Sequence, residues 1–411
     1  MKTIRGTGSI LIAMGVMTAV GSLSACGSST SSSSKSTGSG SSTSSIAVKT
    51  SSAGTGSPVV IGATDDLSGP LASIGEGIAT GIQASIAGAN SAGGINGHAI
   101  KFISLDDASL TTNAVANTVK LITQDHVNAL TGYTLSAQCV AAAGSSVAAK
   151  TPIVCSSGGS NTFNSSPPPN IFLGSYLQAD LVNPTVRLIS SVTTVQKPRI
   201  AILEAETPST ESLVTSLVQT LKGTGADVVY NQSVPPTATD VSSQTQQIAS
   251  SHPDVVISTV ADPLAIELGR GLSADGVNVP IIASAAATSA TTLTLKNPNF
   301  YIFSPFALAG PGFNSYVNVA KAAGLSASLP GEGYGYQEGL AVIGALKACS
   351  GCSGQALIDA FDRLNYDTGG FSASNMTFTP TNHVGVTSAL IFHWDAGSQA
   401  LVQFGPAVPL G

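Results

Sequence analysis

The chain has 411 residues, of which 9% are charged, against roughly a quarter in an ordinary soluble domain. Its 16 basic and 22 acidic side chains give a formal net charge of -6, and no Lys/Arg cluster supplies the electrostatic footprint of a nucleic-acid binder or of a basic membrane-surface contact. The mean hydropathy of +0.30 reflects Ala, Gly, Ser and Thr standing in for charge, because no stretch reaches the roughly 20 uninterrupted apolar residues of a spanning helix, and the length predicts more than one core.

In chain order, the first segment reads as an export signal: Lys2 and Arg5, an apolar stretch from Ile10 to Val20, then small residues at Ser22, Ser24 and Ala25. Leu23-Ser24-Ala25-Cys26 resembles the bacterial lipobox. The resemblance implies a lipoprotein signal peptide over 1–25 and a diacylglyceryl group on Cys26, whose two acyl chains satisfy the two-signal condition for stable anchoring. An ordinary signal peptide with a chance Cys is the alternative. Residues 26–57 are nearly all Ser, Thr and Gly, a composition that cannot bury a core and predicts a flexible tether with a reach on the order of 30 Å.

The body then alternates β-branched runs with helical periodicity. Strands are predicted at Val59–Ala63, Ile100–Leu105, Val127–Leu130 and Pro152–Cys155, with helices at Leu71–Ser91, Thr112–Gln124 and Ala137–Ala149 between them. A helix from Gln178 to Ser190 follows the Pro-rich piece 165–170. The pattern restarts with strands at Arg199–Leu203, Asp227–Val229, Asp254–Thr259, Val279–Ile282 and Tyr301–Ser304, separated by helices at Glu211–Lys222, Val241–Ser250 and Pro263–Ala274. Three helices ending near Leu364 and antiparallel strands at Met376–Phe378, Thr387–Trp394 and Ala400–Phe404 close the chain. Two α/β units with parallel sheets follow, and ligands of such sheets bind at the carboxyl ends of the strands.

With Cys26 assigned to lipid, Cys139, Cys155, Cys349 and Cys352 remain, an even number in an exported chain. Cys139 with Cys155 and Cys349 with Cys352 are the expected disulfides; free thiols, a redox motif and half a zinc site are the alternatives. No GxSxG, HExxH or Walker loop is present. Gly75-Glu76-Gly77-Ile78-Ala79-Thr80-Gly81 is superficially like a dinucleotide fingerprint, but its third Gly is one residue late. Neither catalysis nor any cofactor or metal is expected.

Leu67-Ser68-Gly69-Pro70-Leu71-Ala72, Asn90-Ser91-Ala92-Gly93-Gly94-Ile95-Asn96-Gly97 and Asp106-Asp107-Ala108 resemble the leucine/isoleucine/valine-binding proteins, the extracytoplasmic solute receptors of ABC importers. The resemblance runs from about Val59 to Trp394. It implies the type I periplasmic-binding fold, an α/β architecture of two Rossmann-like lobes, each with a central parallel sheet, joined by a multi-crossover hinge. One lobe is expected at 58–176 and 307–378 and the other at 177–306 and 379–411. The implied activity is capture of an amino acid or small carboxylate or polar solute by hinged closure, for delivery to an ABC permease by a lipid-anchored monomer. A sensing subunit without transport and an exported hydrolase are the alternatives.

Carried over position by position, the resemblance implies ligand contacts from Leu135 and Ser136 at a helix start. There Ser136 serves as an anion contact, an N-cap or both. It also implies contacts from Gly158, Gly159 and Ser160 in a Gly/Ser loop. In the second lobe Ser209 and Ala261 stand where pocket Tyr residues are common, Ala285 where an acid holds the ligand ammonium, and Ile74 replaces an aromatic of the first loop. Glu204, Glu206, Asp262, Asp65 and Asp66 are the acids near enough to substitute, and each is expected to be a solvated loop carboxylate or a helix cap. Tyr133, Tyr176, Tyr334 and Tyr336 are the candidate cleft aromatics.

Overall fold

The computed structural model describes residues 56–156, 163, 168–287, 295–328 and 331–410. Sheet A contains β1 (Val59–Asp65), β2 (Ile100–Asp106), β3 (Ala129–Gly132), β4 (Ile153–Cys155) and β5 (Ile171–Leu173). Their order is β2-β1-β3-β4-β5 and every pairing is parallel. Inner strands of such a sheet are covered on both faces, which is why β3 and β4 are buried throughout, whereas the edge strand β2 exposes Lys101. Helices α1 (Ala72–Ser91), α2 (Thr111–Thr123) and α3 (Ser136–Ala149) make the connections.

A right turn at the end of α1 depends on backbone conformation. Gly93 and Gly94 have φ of 98° and 73°, and Asn96 and Gly97 follow at 50° and 85°. Two consecutive left-handed residues are the requirement of a type I′ turn; Ile95 and His98 bracket it with two mutual backbone hydrogen bonds of 2.9 Å. The segment is therefore a device for turning the chain from α1 into β2.

Sheet B begins after α4 (Val182–Val192) with β6 (Arg199–Ala205), β7 (Asp227–Val234), β8 (Val255–Ser258), β9 (Ile281–Ala283) and β10 (Phe300–Ser304), which pair in parallel. Helices α5 (Pro208–Thr224), α6 (Ser242–Ser250) and α7 (Leu264–Ala274) link them. The helix expected from Gln178 is split into a 3-10 turn, Gln178–Leu181, and α4. Pro184 is the cause, since it has no N–H to bond the carbonyl four residues back and is tolerated only in a first turn.

Three further helices, α8 (Gly310–Ala322), α9 (Glu332–Ala348) and α10 (Gln355–Phe361), precede a small antiparallel pair, β11 (Asn365–Tyr366) with β12 (Met376–Thr377). Helices α8 and α9 pack on α1, and α9 also reaches β3 and β4. The chain then returns to sheet B, where β13 (Ser388–Asp395) pairs antiparallel with β10 and is itself flanked by β14 (Ala400–Gln403) and β15 (Val408–Pro409). Sheet B is thus mixed and not wholly parallel: the tail forms a hairpin closed by Asp395, whose Oδ1 accepts the Ser398 N–H at 2.7 Å, and a hairpin delivers antiparallel neighbours. The passages after β5, β10 and β12 give three crossings between the sheets.

Helices α1 and α9 meet through glycines. A Cβ on Gly335 would lie 1.9 Å from the Ile78 carbonyl oxygen, and one on Gly81 would lie 2.0 Å from that of Glu332. Neither neighbour is a side chain that can swing away. Gly335→Ala is expected to destabilise by about 1 to 3 kcal/mol through overpacking, read as a lower urea midpoint; an unchanged midpoint would mean that the helices separate freely. A Cβ on Gly75, the first glycine of the dinucleotide-like run, would likewise lie 2.3 Å from the Asp66 carbonyl oxygen. Its spacing serves packing.

Candidate functional site

Because the strands of sheet A are parallel, Asp65, Asp106, Gly132, Cys155 and Leu173 all end at one edge. The loops leaving that edge carry the first-lobe residues singled out above. Leu135 is the N-cap of α3 (φ -113°, ψ 139°), so Ser136 is the first helical residue and not the cap. The Leu135 N–H is taken by the Gln138 side chain, whose Oε1 accepts it at 2.9 Å. Ser136 is half-buried and its hydroxyl has no hydrogen bond to another described residue. An unpaired hydroxyl beside the free N–H groups of a first turn is suited to an oxyanion.

The loop after β4 begins with Ser156, whose hydroxyl donates to the Tyr133 carbonyl oxygen at 2.8 Å. Gly158, Gly159 and Ser160 lie outside the described residues, as does Cys26. A disulfide joins Cys139 in α3 to Cys155 at the end of β4, tying the Ser136 turn to that loop. A second joins Cys349 to Cys352 after α9.

At the carboxyl edge of sheet B, Ser209 is in the first turn of α5, its Oγ 3.0 Å from the Oγ1 of Thr207, the N-cap. Ala261 lies between β8 and α7, and Ala285 opens a 3-10 turn, Ala285–Ala287, after β9. These two loops touch, since the Asp262 N–H donates to the Ala286 carbonyl oxygen at 3.4 Å. The structure therefore brings the loops that carry Ala261 and Ala285 together, and the acid in that contact is the half-buried Asp262. Ile74 is in the first turn of α1, within the helix predicted from Leu71, and packs on the core.

The acids depart from expectation. Asp65 and Asp66 are fully buried, not solvated. The Asp65 carboxylate accepts from Ser104 Oγ at 2.9 Å, and the Gln138 Nε2 amide donates to Asp66 at 2.7 Å and to Asp107 at 3.2 Å. From α9 the buried Glu338 reaches down to accept from Thr131 Oγ1 at 2.7 Å and from the Gly132 N–H at 3.0 Å. One oxygen each of Asp65, Asp66 and Glu338 has no partner. Burial pushes Asp65 and Asp107 up to about 8, with the neighbouring Asp66 adding to both, and burial holds Glu338 well above the carboxylate range. In the second lobe Glu204 is also buried and raised, while Glu206 is exposed.

Glu338, Asp107 and Gln138 were missed as site-edge residues in the sequence reading. A polar pair, Gln337-Glu338, in the interior of helix Glu332–Ala348, whose other charges stand at its ends, was the available signal. Among the aromatics, Tyr133 and Tyr336 belong to the core: the Tyr133 hydroxyl is bonded to Thr118 Oγ1 at 2.8 Å, and Tyr336 stacks edge-on to Phe371 with centroids 4.7 Å apart. Tyr176 is buried with an unpaired hydroxyl, and Tyr334 is half-buried. Among the described residues no group of three or more His, Cys, Asp or Glu is placed to hold a metal ion.

No curated protein matches the chain. Solved structures do share its fold. A solute-binding protein of an ABC transporter from Rhodopseudomonas palustris HaA2, in complex with p-hydroxybenzoic acid, is 17% identical with a TM-score of 0.72, covering 86% of this chain and 98% of its own. A fatty acid ABC transporter substrate-binding protein from Thermomonospora curvata is 19% identical with a TM-score of 0.70 (88% and 95% covered). A branched-chain amino acid ABC transporter protein from Thermus thermophilus, with bound valine, is 12% identical with a TM-score of 0.75 (87% and 97%). Residues 58–399 match the family model described as periplasmic binding protein, an extracytoplasmic family of solute-binding proteins. Since that match takes in most of the chain, the protein belongs to the periplasmic binding protein family.

Proposed function

We propose that the protein is the solute-binding lipoprotein of an ABC importer and captures a small carboxylate that carries no amino group, by closure of its two lobes. It is a receptor and not an enzyme: it holds the solute and releases it unchanged to a membrane permease, anchored through Cys26. The observation that carries this reading is the contrast between the two edges. One offers an unpaired Ser136 hydroxyl at the start of α3; the other brings the loops that carry Ala261 and Ala285 together. A ligand ammonium buried against those two alanines would find no carboxylate on either, and Asp262 beside Ala261 already has an interaction within the protein, so the ammonium would be buried at a cost of several kcal/mol.

The solved structures of the same fold hold p-hydroxybenzoate and valine, and one is a fatty acid transporter's protein, so a carboxylate is common to the named solutes. Closure fits a chain that crosses between its sheets three times. Ser136→Ala is expected to weaken carboxylate binding about tenfold or more, the worth of one hydrogen bond to a charged group, and to leave the ligand-free melting temperature unchanged. Calorimetric titration checks it; equal affinity in the variant removes Ser136 from the site. Turnover of any bound acid would instead favour a hydrolase.

A further inference from the structure

One side chain connects the turn that carries Ser136 to buried acids. Gln138 is fully buried in the first turn of α3. Its Oε1 accepts from the Leu135 N–H at 2.9 Å, while its Nε2 donates to Asp66 at 2.7 Å and to Asp107 at 3.2 Å. An amide has one accepting and one donating end, and a carboxylate only accepts, so the two acids fix which end of Gln138 faces the turn. Through that amide the Asp66 carboxylate lies within about 8 Å of the Leu135 nitrogen. A second link runs beside it: the Asp66 N–H donates to Thr134 Oγ1 at 3.2 Å.

Asp66 and Asp107 are both buried, and neither ion pair among the described residues involves them. The titratable groups that face them from other elements are Asp65 of β1 and Tyr133 after β3, with Glu338 of α9 behind Asp65. Asp106 turns its carboxylate to the N–H groups of Leu67, Ser68 and Ala108, and α2 contributes the neutral Asn117 through Thr64. Two carboxylates pressed together without a cation repel each other. One proton held between them removes the repulsion and gives Asp66 Oδ2, which has no partner, the donor it lacks. In keeping with this, burial pushes Asp107 up to about 8, and Asp66 adds to the effect by hydrogen bond and by charge. A solute carboxylate at the Ser136 turn brings a further negative charge within reach of the pair. It favours the protonated pair, and by reciprocity the protonated pair favours it. We propose that Asp66 and Asp107 share one proton and that Gln138, a positioning residue, links it to the Ser136 turn, so that the protein takes up its anionic solute together with a proton and lets it go when the proton leaves. This rests on the carboxylate reading above and gives that site its regulation.

The test is calorimetric titration of the purified protein with 3-phenylpropionate and 4-methylpentanoate at pH 6, 8 and 9, the pH 8 runs in two buffers of different ionisation enthalpy. Both acids are fully ionised throughout, so any titration read is the protein's. Wild-type affinity is expected to fall about five- to tenfold from pH 6 to pH 9, with about half a proton taken up per solute bound at pH 8. Asp107→Asn, the neutral form made permanent, is expected to lose both the pH dependence and the proton uptake, whereas Asp65→Asn keeps both. Gln138→Glu, which can cap Leu135 but adds a third acid to the pair, is expected to lose affinity more steeply with pH than the wild type. Dependence abolished by Asp65→Asn and kept by Asp107→Asn, or a Gln138→Glu profile parallel to the wild type, overturns the proposal. Wild-type binding without pH dependence or proton uptake overturns it too, even if no variant folds, yet leaves the carboxylate reading intact. Only the failure of both acids to bind at every pH removes both.

Discussion

Asp65→Asn is expected to stabilise the protein at pH 8 and to do so progressively less as the pH falls toward 5. Asp65 and Asp107 are each raised from the ordinary 3.8 to about 8, so between those values the folded chain holds protons that the unfolded chain has released. Stability then falls as pH rises through this window, and the contribution is fully present only below about 4 and gone above about 8. At roughly 1.4 kcal/mol per unit of pKa difference, the effect is on the order of several kcal/mol. An asparagine is the neutral form made permanent: its carbonyl oxygen keeps the Ser104 hydrogen bond, and no charge faces Asp66. Thermal melts of wild type and variant from pH 5 to pH 8 check this. A wild-type melting temperature that climbs over the range, or a variant that tracks it in parallel, contradicts the assignment.

Replacing Cys139 and Cys155 together by alanine is expected to cost about 3 kcal/mol, since their bond closes a loop of 16 residues and loop-closure entropy in the unfolded chain scales with that length. Cys349→Ala with Cys352→Ala, at a separation of 3, is expected to cost less. The first pair also bears on binding. Cys139 lies three residues after Ser136, and Cys155 directly precedes the loop that begins at Ser156. Without the bond, these two segments are held only by contacts such as the Ser156 hydroxyl on the Tyr133 carbonyl. The Cys139/Cys155 variant is therefore expected to bind carboxylates more weakly as well as to unfold at lower urea, whereas the Cys349/Cys352 variant keeps wild-type affinity. Paired urea titrations and calorimetry separate the two effects; equal affinity losses would place the coupling elsewhere.

What could be read from the sequence was governed by how local each feature is. The strand at Val59 and the helix after Pro70 were legible from β-branched and helical periodicity, and Asn96-Gly97 announced a turn that needs two left-handed residues. Strand β5 was not legible: it has three residues, follows a run of prolines, and owes its place to pairing with β4. The acids failed for the same reason at longer range. Asp65 and Asp66 look solvated beside Asp106 and Asp107 in a charge-poor chain, yet Glu338 closes over Thr131 and Gly132 from more than 200 positions away. Ser136 could be placed at a helix start from its neighbours; that Leu135 occupies the cap depends on the Gln138 side chain reaching back, which sequence spacing alone did not single out.

The proposed function, in which neither Ala261 nor Ala285 can clamp an amine, makes a direct demand on the ligand. Calorimetric titration with phenylalanine against 3-phenylpropionate, and with leucine against 4-methylpentanoate, compares each amino acid with the same acid lacking its ammonium. The ammonium-free member of at least one pair is expected to bind, and in each pair that binds to exceed its amino acid by tenfold or more, since an unpaired buried ammonium costs several kcal/mol. Amino acids that bind as tightly as their ammonium-free counterparts would mean that another acid clamps the amine, and would contradict the proposed function.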